Sequence, residues 1–178
     1  RWFESDADPY NFHEYGFSYL DKALAWAEKH HLYVMLDFHG VVGGQSPWDH
    51  TGTLSEIEFF QNKEYQKRTA ALWQEIARRY GDNPVVWAYD LLNEPFSATD
   101  TKNWADAHDV LYDAIREVDP DTIVVMEDGY KLEFPKWTNT GFFPSPKEMD
   151  WENVVYSLHF YSGADPLFSD KKGLADHA

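Results

Sequence analysis

The chain has 178 residues, 43% of them apolar, with 15 Lys and Arg against 31 Asp and Glu for a formal charge of −16. That content supports one hydrophobic core rather than two complete domains, and the acidic balance excludes nucleic acid and anionic membrane surfaces as natural partners. No cysteine is present, so disulfides and thiolate metal sites are excluded, and no run reaches the roughly 20 apolar residues of a membrane span.

Along the chain two hydrophobic periods alternate. The opening Arg1-Trp2-Phe3 reads as a strand stub, and Arg1 to Asp6 carry neither the basic n-region nor the apolar h-region of a signal peptide. Phe17, Leu20, Leu24 and Ala27 recur at helical spacing and lead into the apolar run Tyr33-Val34-Met35-Leu36, which predicts a buried strand. Tyr65, Thr69, Leu72, Trp73, Ile76 and Ala77 repeat the helical period, Gly81-Asp82-Asn83-Pro84 breaks it, and Val85 to Tyr89 starts a second strand. Trp104, Ala107, Leu111, Ala114, Ile115 and Val118 form a third helical stripe, followed by the turn Asp119-Pro120-Asp121 and the strand Thr122 to Met126. Val154 to Leu158 is a fourth strand. Strands separated by helices predict right-handed crossovers and a parallel sheet buried on both faces. A closed (β/α)8 barrel takes about 250 residues, so four strands and a stub predict an incomplete one, truncated at both ends.

In parallel α/β folds, ligands lie beyond the carboxyl ends of the strands. Here each strand runs into polar residues: Asp37-Phe38-His39-Gly40, Asn93-Glu94-Pro95, Glu127-Asp128-Gly129 and His159-Phe160-Tyr161. Neighbouring strands would bring these groups to one mouth. Glu94 reads either as a carboxylate capping the next helix or as a proton donor. Pro95 disfavours the helical conformation for Glu94 and predicts extended backbone there, and apolar walls would favour the neutral carboxyl that an acid catalyst needs. His39 and His159 read as satisfied core histidines or as site groups. With Asp37 and Glu127 they also permit a metal site, although no H-x-H or H-E-x-x-H spacing supports one. Residues 40–52 form a polar loop after the first strand. In it Gln45, Trp48, Asp49 and His50 combine an aromatic platform with hydroxyl-binding groups, and the glycines lack the strand and helix context of a phosphate loop. Aromatic residues make up 17% of the chain; their faces suit sugar rings as well as a core.

Leu20-Asp21-Lys22-Ala23, Leu36-Asp37-Phe38-His39-Gly40, Gly43-Gly44-Gln45 through Asp49, Tyr89-Asp90-Leu91-Leu92-Asn93-Glu94-Pro95 and His159-Phe160-Tyr161 together resemble glycoside hydrolase family 5, the retaining clan that includes cellulases and exo-β-glucanases. The resemblance covers nearly the whole chain. It implies that residues 1–178 are a partial catalytic domain spanning about strands three to six of a (β/α)8 barrel. By the same resemblance Glu94 is the general acid/base and Asn93 hydrogen-bonds the sugar 2-hydroxyl. His39, His159 and Tyr161 form the polar shell, and Gln45, Trp48 and Asp49 contact substrate.

The implied partner is a β-linked polysaccharide or oligosaccharide, with no cofactor, in a secreted parent protein. Retaining hydrolysis needs a second carboxylate about 5–5.5 Å from the first. The family carries it at the end of strand seven, so the chain alone is expected to be inactive, and Glu127 reads as a subsite or structural carboxylate. A non-catalytic carbohydrate-binding remnant and a metal-dependent barrel hydrolase are the alternative readings.

Overall fold

A computed structural model describes residues 2–52, 57–96, 101–133, 136–139 and 144–159. In chain order the elements are α1 (Glu14–Lys29), β1 (Val34–Asp37), a 3-10 turn (Asp49–Thr51), α2 (Lys63–Tyr80), β2 (Val86–Asp90), α3 (Thr101–Arg116), β3 (Ile123–Glu127), β4 (Tyr130–Glu133), β5 (Lys136–Asn139), α4 (Pro146–Met149) and β6 (Val154–Ser157). The four expected strands form one parallel sheet in the order β1-β2-β3-β6. Their succession matches their order in the chain, which is how a (β/α)8 barrel is wound.

Each helix follows from its apolar stripe. α1 buries Phe17, Leu24 and Ala27, while α2 buries Thr69, Leu72, Trp73, Ile76 and Ala77, starting where the Asn62 side chain accepts from the N–H groups of Glu64 and Tyr65. α3 buries Trp104, Ala107, Leu111 and Ile115. It stops at Arg116, short of Val118, because Asp119 turns the chain: its Oδ1 accepts from the N–H groups of Asp121 and Thr122, and its Oδ2 accepts from the Tyr89 hydroxyl at 2.9 Å.

Two expectations are corrected, and one feature was unforeseen. Trp2 and Phe3 are not a strand; Phe3 instead accepts the His13 N–H at 2.6 Å and packs its ring on Phe17. The sheet is buried on both faces only at its central strands: Ala88 and Val125 are 0% and 3% exposed, whereas Met35 and Val155 beside them on the outer strands are 44% and 41% exposed. Finally, the antiparallel β4-β5 hairpin and the short α4 interrupt the path from β3 to β6. Apolar runs did not mark the hairpin, because Tyr130-Lys131-Leu132-Glu133 and Lys136-Trp137-Thr138-Asn139 interleave apolar with charged and polar residues, whereas the equally short β1 and β6 sit in continuous apolar runs.

Two helices fasten the carboxyl ends of the central strands. The Trp73 indole of α2 donates to the Leu91 carbonyl at 3.2 Å, and the Trp104 indole of α3 donates to the Glu127 carbonyl at 3.1 Å. Trp104 is itself clamped by His108, whose ring stacks at 3.9 Å and whose Nδ1 lies 2.8 Å from the Trp104 carbonyl. Burial keeps His108 neutral, pushing its pKa down to about 4. The strand ends after β2 and β3 are therefore held by buried side chains rather than left as loops.

Candidate active site

Parallel register aligns Asp37, Asp90, Val125 and Val155 across the four strands, and sets Glu127 opposite Ser157 two residues further along β3 and β6. Strand alternation therefore turns Asp37, Asp90 and Glu127 to the same face. Glu94 reaches this cluster from the segment beyond β2. Its backbone N–H donates to Glu127 Oε2 at 2.7 Å. His159, beyond β6, bridges the two glutamates with Nδ1 2.9 Å from Glu94 Oε1 and Nε2 3.0 Å from Glu127 Oε1.

The hydrogen bond to Glu127 and the proximity of Glu94 raise the His159 pKa to about 9 against the opposing cost of burial. At neutral pH the ring is a cation donating to both carboxylates. An imidazole, rather than the expected apolar wall, thus borders the Glu94 carboxyl.

The backbone of Glu94 also departs from expectation. Its φ is +44° instead of extended. A non-glycine residue in the left-handed region costs about 1–3 kcal/mol and persists only where the surroundings over-determine it. They do so here: Asn93 N–H donates to the Phe38 carbonyl, Glu94 N–H to Glu127, and Phe96 N–H to the Gln45 carbonyl at 2.7 Å. Three consecutive anchors around Pro95 override the local preference that proline sets.

Gln45, expected to contact substrate, is fully buried. Its amide nitrogen donates to the carbonyls of Asn93 at 2.9 Å and His39 at 3.2 Å, and its oxygen accepts the Val41 N–H. Those contacts use the amide to tie the 40–52 loop to the segment carrying Glu94, which leaves none of its hydrogens for a ligand. The loop approaches closely enough to require glycine at 43, where φ is +78° and a Cβ would stand 2.2 Å from the Tyr65 ring. Gln45→Ala strands two buried backbone groups and one part-buried one, so we expect a stability loss of about 2–4 kcal/mol, read by urea unfolding, with kcat falling more than KM rises. A variant of native stability with only KM raised would restore the contact role.

The remaining predicted residues divide into three. Asn93 is buried beneath the loop. Trp48 is half-buried, meeting Phe96 edge-on at 5.5 Å and stacking on His50 at 6.2 Å, while Asp49 is exposed. His39 is exposed with Nδ1 2.5 Å from Asp37 Oδ2, and burial is the main cause that raises the Asp37 pKa. Tyr161 lies outside the described residues. A cleft of about 720 Å³ flanks β1, lined by Trp2, Asp37, His39, Gly43, Tyr65 and Arg68 among others. Glu94 is not part of its lining, so the hydrogen-bond geometry, rather than this cleft, locates the site. Among the described residues no three His, Asp or Glu side chains converge as a metal-binding set.

Sequence reading missed Asp90 as a site residue. The available signal was the pair Leu36-Asp37 and Tyr89-Asp90, which places an Asp at the same step past an apolar run on two successive strands.

Comparison with known families decides the assignment: the model for Cellulase (glycosyl hydrolase family 5) matches residues 2–173. The chain belongs to glycosyl hydrolase family 5. Similar curated relatives include a beta-xylosidase of Phanerodontia chrysosporium, 33% identical over 164 residues that cover 91% of this chain and 33% of the relative. Cellodextrinase A of Ruminococcus flavefaciens is 30% identical over 148 residues, covering 83% of this chain and 41% of the relative. Among solved structures, a beta-glucanase of Saccharophagus degradans superposes with a TM-score of 0.66 at 21% identity, over 92% of this chain and 47% of the other. Endo-glycoceramidase II of a Rhodococcus species gives 0.67 at 20% identity, over 98% and 50%. This family 5 chain thus spans a third to two fifths of these curated relatives and about half of the solved chains.

Proposed function

We propose that the protein containing this chain hydrolyses β-glycosidic bonds of glucan-type polysaccharides or oligosaccharides by double displacement, with Glu94 as general acid/base. The observation carrying this reading is the Glu94–His159–Glu127 arrangement at the carboxyl end of the sheet, with Glu94 held in a left-handed conformation by anchors on both sides. A carboxyl fixed at the rim of a barrel by backbone anchors and a histidine is positioned to exchange a proton with a glycosidic oxygen and then with water. Asn93, His39, Trp48, Asp49 and Tyr161 are proposed as substrate-contacting residues, and residues 1–178 as part of one catalytic domain.

Glu127 is poorly suited to attack an anomeric carbon. Its side chain is 3% exposed and both oxygens are engaged, one by the Glu94 N–H and the other by His159. We therefore place the nucleophilic carboxylate outside the described residues. The partner is a β-linked glycan and the setting extracellular, in keeping with the endoglucanase and glucosidase names among the relatives. Among the described residues no helix is long and apolar enough to cross a membrane.

The test uses the longest natural reading frame containing this chain, assayed on β-linked gluco-oligosaccharides with the anomer of the first product followed by proton NMR. We expect the β-anomer first, with residues 1–178 alone inactive. An α-anomer would exclude double displacement, and turnover by the isolated chain would place the nucleophile within it.

A further inference from the structure

Asp90 closes β2 between Asp37 on one neighbouring strand and Val125 on the other, with Glu127 one strand period beyond Val125 on the same face. It is 2% exposed, and its carboxyl lies within hydrogen-bond reach of Glu127. Two carboxyl groups share a hydrogen bond only if one of them holds the proton. Glu127 already accepts from two N–H donors, so its oxygens are in use as acceptors. The proton therefore belongs on Asp90.

The charges around Asp90 agree. It is faced by Asp37 from β1, Glu127 from β3 and His159 from beyond β6, and the two ring nitrogens of His159 already address Glu94 and Glu127. Asp90 Oδ1 has no hydrogen-bond donor. An ionised carboxylate there would be buried beside two like charges, with no donor at Oδ1.

We infer that Asp90 is a positioning residue of the acid/base site, donating its carboxyl proton to Glu127 and thereby steadying the carboxylate that holds the Glu94 backbone and the His159 ring. This rests on the proposed role of Glu94. Burial first, and then Glu127, push the Asp90 pKa up to about 9. The folded chain thus binds a proton that the unfolded chain releases in the ordinary carboxylate range, so this group makes stability fall as pH rises through the window up to about 9. His159 acts in the same direction. Its stabilisation is complete below the ordinary imidazole range and is lost as pH passes about 9.

The experiment compares wild type, Asp90→Asn and Asp90→Leu in the longest natural reading frame, recording Tm, kcat and KM from pH 5 to 10. Asn carries a donor that cannot ionise, whereas Leu carries none. We expect Leu to lower kcat by about 10–100-fold with little change in KM. Asn should rescue most of that loss and flatten the fall of both Tm and kcat between pH 7 and 9. An Asn variant as impaired as Leu, or one with wild-type pH slopes, overturns the inference.

If Leu does not fold, the Asn and wild-type slopes decide by themselves. The Tm profile needs no substrate, so it reads Asp90 even where the proposed hydrolysis fails. A Glu94→Gln variant assayed in parallel separates the two ideas: full activity there removes the acid/base reading, whereas its expected loss beside wild-type Asn slopes removes only the role of Asp90.

Discussion

Glu94→Gln in the intact protein is expected to lower kcat by about 10²–10⁴-fold on substrates whose leaving group needs a proton. The amide is nearly isosteric and still presents an oxygen to His159 Nδ1, which lies 2.9 Å from Glu94 Oε1. The anchors that impose a φ of +44° are backbone and neighbouring groups, so they are unaffected by the change. What disappears is the exchangeable proton. The loss should therefore shrink in the first step for an aryl glycoside with an acidic leaving group, while the second step, which needs a base to activate water, stays slow. Steady-state and burst kinetics on the two substrate types measure both effects. Wild-type kcat on an alkyl or sugar leaving group would end the assignment.

Glu127→Ala is expected to cost about 3–5 kcal/mol of stability, the usual consequence of removing one partner from a buried charge pair. The Glu127 side chain is 3% exposed and serves the Glu94 N–H, His159 and Asp90 together. Truncation leaves that N–H without its acceptor and His159 without the partner that contributes most to its raised pKa. Activity should fall as well, because the strained Glu94 backbone loses one of its anchors. Glu127→Gln keeps an acceptor and is expected to cost less than half as much. Urea unfolding reads the difference through the midpoint at constant slope. An Ala variant as stable as wild type would show that this carboxylate organises nothing.

Much of the architecture was legible before any coordinates. Four apolar runs separated by helical stripes became four parallel strands in chain order, because burial of a strand or a helix face writes a period into the residues that form it. The tripeptide Asn93-Glu94-Pro95 and the residues after the other strands marked the rim that carries the proposed site for the same reason, since strand ends in such a sheet share one edge. The β4-β5 hairpin was invisible because its two strands mix apolar with charged and polar residues and so form no apolar run, unlike the equally short β1 and β6.

At the site, the residue types pointed to acid/base chemistry on sugars, and the resemblance implied one polar shell of Glu94, His39 and His159; the fold brings His159 to Glu94 and pairs His39 with Asp37. Their working relations came from contacts across the fold. Local preference predicted an extended Glu94, but three hydrogen bonds from residues remote in the chain set it left-handed. The polar character of Gln45 suggested a ligand contact, but the carbonyls of Asn93 and His39 claim its amide inside the protein. Asp90 and Glu127 stand 37 positions apart in the sequence and become a pair only when β2 and β3 lie side by side in register. Composition and periodicity determine which elements form and which edge carries chemistry, because those depend on each segment's own solvation. Protonation, backbone strain and hydrogen-bond partnership depend on which segments meet, and only the folded sheet decides that.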